Sequence, residues 1–370
     1  MNSQEVFYAL GLLFLKGVGT FKAKQIIEQF EKPSHFFSDP GSITILNQKG
    51  IRITKAEIKK ALVKAEKEIT YIQKENISTH YFLDKNYPFR LSQCPDCPIL
   101  LFSKGGFNIN PEKTLAIVGT RNISFLGVQI VKDLIDSIRN QNIQVISGLA
   151  YGVDFLAHDL CVQSDIETIG VLGHGLDLVY PKAHEYLVEK MCVSMGGIIT
   201  EFPTGTIPNR FNFPRRNRII AGMTDSTIIV ESGVKGGSII TANFANDYAR
   251  DVFAFPGGVF QESFRGCNSL IQSNKAHLVC SGDDVLNMLS WRKISEAPPV
   301  SQVKILSEEK TILTLIKNNP ELTIDGLVNL TRKSLSEIKS VLLTLELNGL
   351  LSSLPGNKFQ INSSLLVSQL

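Results

Sequence analysis

The sequence predicts an α/β protein built on a doubly wound parallel sheet, with an all-helical segment before the sheet and a small helical module after it. Three observations carry that prediction. Between Thr114 and about Leu289, short β-branched runs alternate with amphipathic helical stretches. Parallel strands need crossover helices, and those helices cover both faces of the sheet. Residues 1–76 place apolar side chains at helical spacing, with Lys/Glu pairs between Lys55 and Glu68. Beyond Trp291, a stretch holding Pro298, Pro299 and Ser301 reads as a linker over residues 291–304, and a helix-rich tail follows. At 370 residues the chain exceeds one ordinary core, so division into several domains is expected.

The apolar run Val6–Leu15 follows Glu5, where a signal peptide would carry positive charge, and it reads as a buried helix. No stretch has the length to span a bilayer, so the expectation is a cytoplasmic protein with no membrane association. Leu15-Lys-Gly-Val-Gly-Thr-Phe-Lys-Ala-Lys-Gln-Ile-Ile27 resembles a helix-hairpin-helix. Its glycine turn could offer backbone N–H groups to a DNA phosphate, or simply join two packed helices; Lys16, Lys22 and Lys24 favour phosphate only mildly. The proline- and glycine-bearing stretch Tyr87–Gly106 then leads into residues 77–290, the sheet domain.

Strands are expected at Leu115–Val118, Gln144–Ile146, Thr168–Leu172, Gly197–Thr200, Thr227–Val230, Val252–Phe255 and His277–Cys280. Helices are expected between them at Gly127–Arg139, Val153–Val162, Glu185–Met195 and Ile239–Arg250. In residues 305–370, three helical patterns (Glu308–Asn318, Thr323–Leu330, Ser334–Asn348) precede a hairpin at Leu350–Ile361 centred on Pro355-Gly-Asn. Three helices and a hairpin make the winged-helix pattern. The third helix carries Lys339 as its only base, against Glu337 and Glu346, and Ile305–Leu370 holds six Lys+Arg against six Asp+Glu. A neutral winged helix suits a protein-interaction or regulatory role better than reading DNA sequence.

The net charge of +3, from 38 Lys+Arg and 35 Asp+Glu, is too small to bind polyanions globally, so any nucleic-acid site must be concentrated. Six cysteines without dense spacing indicate a reducing compartment. Cys94 and Cys97 form a CxxC with no second pair or histidine to complete a zinc site, and read as a loop turn.

The strand ends carry the chemistry. Gly119-Thr-Arg121, Ser147-Gly-Leu-Ala-Tyr-Gly152, Gly173-His-Gly175 and Glu231-Ser-Gly-Val-Lys-Gly-Gly-Ser238 all place glycine beside a helix start, where free N–H groups favour anions. Ligands of such sheets bind at the carboxyl ends of the strands. Neither GxGxxG nor GxxxxGK[ST] occurs, so no nucleotide cofactor is expected. Asp154 and His158 share a helix face but lack further ligands; His174, His184, Ser147 and Ser238 have ordinary packing, capping or phosphate-contact roles as their default. No catalytic residue and no metal site is expected.

Between Phe202 and Thr224 lie Arg210, Arg215, Arg216 and Arg218 with Phe211 and Phe213, and no Asp or Glu. Guanidinium forks bind phosphate and phenylalanine faces stack on bases, a combination suited to single-stranded nucleic acid. The same arginines could pair with carboxylates elsewhere in the fold.

Ala116-Ile-Val-Gly-Thr-Arg121, Ser147-Gly-Leu-Ala-Tyr-Gly-Val-Asp154, Val171-Leu-Gly-His-Gly-Leu-Asp-Leu-Val-Tyr-Pro181, Thr200-Glu-Phe-Pro-Thr-Gly205, Phe213-Pro-Arg-Arg-Asn-Arg-Ile-Ile-Ala-Gly222, Gly237-Ser-Ile-Ile-Thr-Ala242 and Gly266-Cys-Asn-Ser-Leu-Ile271 resemble, in order, the motifs of the DNA processing protein A family (DprA, also called Smf). The resemblance implies an extended Rossmann-like fold that binds single-stranded DNA, forms a homodimer, and loads the RecA recombinase onto incoming DNA in natural transformation. It puts Arg121, Asn217 and Arg218 on DNA-contacting or pocket-forming positions, and Ser147, Gly148, Gly237 and Ser238 on glycine-serine loops. Gly119, Arg210, Phe211, Phe213, Arg215, Arg216 and Lys235 complete the candidate site. Thr120, His184 and Asn274-Lys275 depart from the family pattern, the last two leaving the detailed pocket shape open. The competing enzyme reading is a phosphoribohydrolase; its PGGxGTxxE loop corresponds to Pro256-Gly-Gly-Val-Phe-Gln-Glu262, which lacks the second Gly-Thr pair and shifts the acid.

Overall fold

A computed structural model describes residues 3–48, 51–291, 307–319, 322–347, 350–354 and 358–361. The chain divides into two compact units, Met1–Arg292 and Lys293–Leu370. Most of the expected linker, 292–304, and the Pro355-Gly-Asn turn lie outside the described residues.

The first unit opens with five helices, α1 (Ser3–Phe14), α2 (Thr20–Phe30), α3 (Pro33–Ser38), α4 (Ser42–Gln48) and α5 (Lys55–Lys74). Helix α5 starts sharply because Thr54 and Glu57 form a reciprocal capping box. There follow β1 (Ser78–Tyr81), α6 (Phe89–Ser92), β2 (Leu100–Gly105), β3 (Lys113–Val118), α7 (Phe125–Ile138), β4 (Ile143–Ser147), α8 (Val153–Gln163), β5 (Thr168–Val171), α9 (Glu185–Val193) and β6 (Gly197–Thr200). The unit ends with α10 (Asn212–Met223), β7 (Ser226–Ile229), α11 (Gly237–Asp247), β8 (Asp251–Ala254), α12 (Arg265–Gln272), β9 (His277–Leu278) and α13 (Gly282–Met288).

Among the described residues these strands form one nine-stranded sheet in the order β1-β2-β6-β5-β4-β3-β7-β8-β9. From β6 to β9 every pairing is parallel, while β2 runs antiparallel to both β1 and β6. The chain thus winds outward from β3 through β4, β5 and β6, then returns to the other side of β3 as β7. The crevice between β3 and β7 is the topological switch point, where ligands of open α/β sheets bind.

Alternation along β3 shows why the sheet is buried on both faces. Ala116 and Val118 face a cluster with Ile219 and Ile220 of α10 and Ala242 of α11, while Leu115 and Ile117 face Val131, Leu134 and Ile135 of α7 and Ala157 of α8. Each fully buried aliphatic side chain contributes about 1.5–3 kcal/mol.

Strands β1 and β2 correct the sequence reading. Leu100–Gly105 falls in a stretch that reads as a connection, because Pro98 and Gly105-Gly106 punctuate a run too short to give a period. It is a strand because both faces are covered: Leu101 joins the sheet core, while Ile99, Leu100 and Phe102 share a core with Leu10, Leu12 and Ile27 of the helical segment. The five helices are therefore packed on the antiparallel edge of the sheet. Two polar contacts pin them further. Thr204 donates its N–H (2.9 Å) and hydroxyl (2.5 Å) to Glu68 of α5, and Lys24 of α2 donates to Pro95 O (3.1 Å) and Cys97 Sγ (2.9 Å). Lys24 thereby contacts the turn held by the Cys97 N–H to Cys94 O bond.

The second unit holds α14 (Ser307–Asn318), α15 (Ile324–Thr331), α16 (Leu335–Leu347) and an antiparallel hairpin of β10 (Leu351–Leu354) and β11 (Lys358–Ile361). Thr323 bridges to Lys358, extending the hairpin, and Leu313, Leu327, Ile338, Leu345 and Phe359 fill the core. Ser334 and Glu337 cap α16 reciprocally, so Glu337 is tied to the helix start. No helix among the described residues is long and apolar enough to cross a membrane.

Candidate nucleic-acid interface

A cleft of about 700 Å³ opens at the switch point, lined by the turn after β3 (Gly119, Thr120, Arg121), Ala150 and Asp154 after β4, Phe213, Arg216 and Asn217 of α10, and Ser232, Gly233 and Gly236–Ser238 before and within α11. Local backbone geometry explains how these turns come so close. Thr120 donates its N–H to Glu231 O (2.7 Å) and accepts at its carbonyl from Val153 N (3.1 Å), which binds the ends of β3, β7 and α8 together. Gly152 has φ +78° and its missing Cβ leaves room for the Thr120 and Arg121 carbonyls. Any Cβ at Gly148 would fall on the Arg216 guanidinium. Glycine there makes space for a side chain.

Arg216 is 5 % exposed at the floor of the cleft. Its nearest carboxylate is Asp154, with Nη1 to Oδ2 at 3.8 Å, and its Nε has no hydrogen-bond partner. Burial raises the pKa of Asp154, opposed by the Arg216 charge and the Ala150 N–H; burial also lowers that of Arg216, opposed by Asp154. A guanidinium stays protonated throughout. The mouth is aromatic: the Arg121 guanidinium lies 5.8 Å from the Phe213 ring centre, and Tyr180 packs against Phe213 at 6.1 Å.

The third wall is the start of α11. Its cap position is Gly236, which supplies no side-chain bond, so the helix begins at Gly237 and Ser238 with the dipole directed into the cleft. Asn217 donates Nδ2 to Gly237 O (3.1 Å), and Ser238 donates its hydroxyl to Ser232 Oγ (2.7 Å). These two residues hold the turn in shape.

The candidate residues therefore separate. Gly119, Arg121, Arg210, Phe213, Arg216, Asn217, Gly237 and Ser238 line the cleft, and Gly148 makes room for Arg216. Phe211 is 66 % exposed beside Arg210, whose guanidinium stacks 4.7 Å from its ring, outside the cleft lining. Lys235 is exposed at the turn and does not line the cleft. Ser147 is fully buried and spends its hydroxyl on Ile117 O (2.6 Å), fastening β4 to β3.

Arg218 and Arg215 do not line the cleft. The segment lacks acids of its own, yet Glu201 at the end of β6 accepts from Arg218 Nη2 at 2.5 Å and from Arg215 Nη2 at 3.3 Å. Arg218 also donates to Asp96 O (2.6 Å) and is 7 % exposed. It is a strut between β6 and the Cys94–Cys97 turn. The helix carrying these arginines begins at Asn212, so Arg215 is its fourth residue and Arg218 its seventh. Asp154, Ser232 and Tyr180 also line the cleft, and sequence reasoning does not single them out as site residues. Asp154 and Tyr180 fall inside the family-like motifs, and only their partners in space distinguish them from packing residues.

The histidines singled out in the sequence and Glu262 have partners within the first unit. His174 donates to Gly175 O (2.9 Å) and His184 to Leu149 O (3.0 Å). Thr168 gives its proton to Val145 O, so His158 Nδ1 donates to Thr168 Oγ1 at 2.7 Å. Glu262 points outward and pairs with Arg265 at 2.7 Å. Among the described residues no cluster of three or more His, Cys, Asp or Glu could hold a metal.

Residues 78–290 match the family profile of DNA recombination-mediator protein A, and residues 296–357 that of the DprA winged helix domain. The DNA processing protein DprA of Streptococcus pneumoniae is 41 % identical over 207 residues, covering 55 % of this chain and 71 % of that protein. DprA of Bacillus subtilis is 34 % identical over 257 residues, covering 67 % of this chain and 86 % of that protein. The solved Streptococcus pneumoniae DprA superposes with a TM-score of 0.65 at 33 % identity, over 76 % of this chain and 97 % of that one. A Helicobacter pylori DprA, described for its single-stranded DNA binding mode, shares the fold with a TM-score of 0.52 at 24 % identity, over 58 % of this chain and 95 % of that one. With the central profile spanning more than half of its length, this chain belongs to the DNA recombination-mediator protein A (DprA/Smf) family.

Proposed function

We propose that this protein binds single-stranded DNA along the carboxyl edge of its sheet, with a phosphate in the switch-point cleft, and acts without catalysing a reaction. The observation that carries this is the meeting of Arg121, Arg216 and the uncapped start of α11 in one cleft with the Phe213–Tyr180 wall at its mouth. Phosphate is held by guanidinium and backbone N–H groups, and an unpaired base has an aromatic face beside it. Groups of this kind read charge and stacking rather than base edges, so sequence preference is weak. Membership of a recombination-mediator family supports the same reading. The outward Glu262–Arg265 pair, away from the cleft, disfavours the phosphoribohydrolase alternative.

The family resemblance extends the proposal: the protein dimerises, resides in the cytoplasm, and passes the strand to RecA during natural transformation, with the neutral winged helix as a protein-interaction or regulatory module. Titrating labelled single strands against Arg121→Ala and wild type tests the binding step, and RecA filament formation on protein-coated strands tests the transfer. Release of free base from nucleoside monophosphates would instead establish the hydrolase.

A further inference from the structure

Resting on that reading, we infer that the cleft recognises a phosphomonoester, and that the terminal phosphate of a strand is its preferred ligand. The lining carries three arginines, Arg121, Arg210 and Arg216, against the single carboxylate of Asp154, a net of two positive charges. An internal phosphodiester carries one negative charge, whereas a terminal phosphate carries close to two at neutral pH.

Accessibility points the same way. Arg216 is 5 % exposed, recessed behind Gly148, and held loosely by Asp154 at 3.8 Å, with Nε unpartnered. A buried guanidinium with its Nε donor unused favours an anion that can reach it. A diester is flanked by sugars on both sides and must bend its backbone into the cleft to do so. A strand end enters directly, placing its phosphate between Arg216 and the start of α11 while the first base meets Phe213 and Tyr180. A free nucleoside monophosphate carries the same group and is the second source of this chemistry.

The full-length protein is titrated with an internally labelled oligothymidine bearing hydroxyl ends, and with the same strand carrying a 5′- or a 3′-phosphate. A hydroxyl-ended strand one nucleotide longer matches the phosphorylated strands in phosphate number. A terminal phosphate is expected to tighten binding about tenfold, with the longer strand indistinguishable from the shorter one. Arg216→Lys, which keeps the charge but loses the fork, brings that ratio toward one, and dTMP competes with the phosphorylated strand. Equal affinity of wild type for phosphorylated and hydroxyl-ended strands overturns the inference and leaves single-strand binding standing. Binding of dTMP with no binding of any strand supports the monoester site and overturns the single-strand reading.

Discussion

Arg216 and Arg218 lie two residues apart on one helix, which turns them about 200° from each other. Arg216 thereby reaches the cleft floor and Arg218 reaches Glu201, while Arg215, three residues before Arg218, falls on the same side and shares that carboxylate. Their consequences differ accordingly. Arg218→Ala leaves Glu201 buried without its main partner and is expected to cost about 3–5 kcal/mol in urea unfolding. Arg121→Ala removes an exposed side chain, so its stability should change by less than about 0.5 kcal/mol while single-strand affinity falls roughly tenfold or more. A double-mutant cycle of Arg218→Ala with Glu201→Gln separates the pair from the site. Gly148→Ala is expected to displace Arg216 and weaken strand binding, which anisotropy titration checks. The basic cluster is legible in the sequence; the division of its labour is not, because Glu201 and Asp154 reach it only through the sheet.

Helix α8 is fastened to β5 by the His158–Thr168 bond, and burial, followed by the Arg216 charge, holds His158 down to about 3. An unfolded histidine titrates near 6.5, so between those values the unfolded chain binds the extra proton. Stability is therefore lost as pH falls below about 6.5, by at most about 1.4 kcal/mol per pH unit from this group. Burial lowers His80 and His174 in the same sense. Unfolding free energies measured across that window should show a shallower acid decline for His158→Gln than for wild type. At this scale the parallel strands β3 to β8 are readable from β-branched runs, since burial on both faces demands continuous apolar sequence, while the exposed two-residue edge strand β9 falls within the expected His277–Cys280. Strands β1 and β2 are not, because their burial depends on helices distant in sequence, such as α1 and α2 against Ile99 and Phe102.

Taken whole, Met1–Arg292 is a compact unit whose helical segment is tied to the sheet by Glu68 with Thr204 and by Lys24 with Cys97. All cleft-lining residues fall inside it. A protein truncated after Arg292 is therefore expected to fold and bind single strands with unchanged affinity, whereas an adaptor working through its winged helix would lose activity. The net charge of only +3 places the burden of binding on the cleft, not on the protein's overall field. The proposed single-strand site is this cleft, with Arg121 and its neighbours. The most direct measurement is a salt-series titration of single-stranded against duplex DNA with wild type and folded Arg121→Ala. Strand binding at this site is expected to show a preference for single strands, an affinity falling with salt at about 0.7 log units per decade for each phosphate contact, and a shallower slope in the variant. Equal affinity for both forms of DNA, indifference to salt, or an unchanged slope in Arg121→Ala would contradict it.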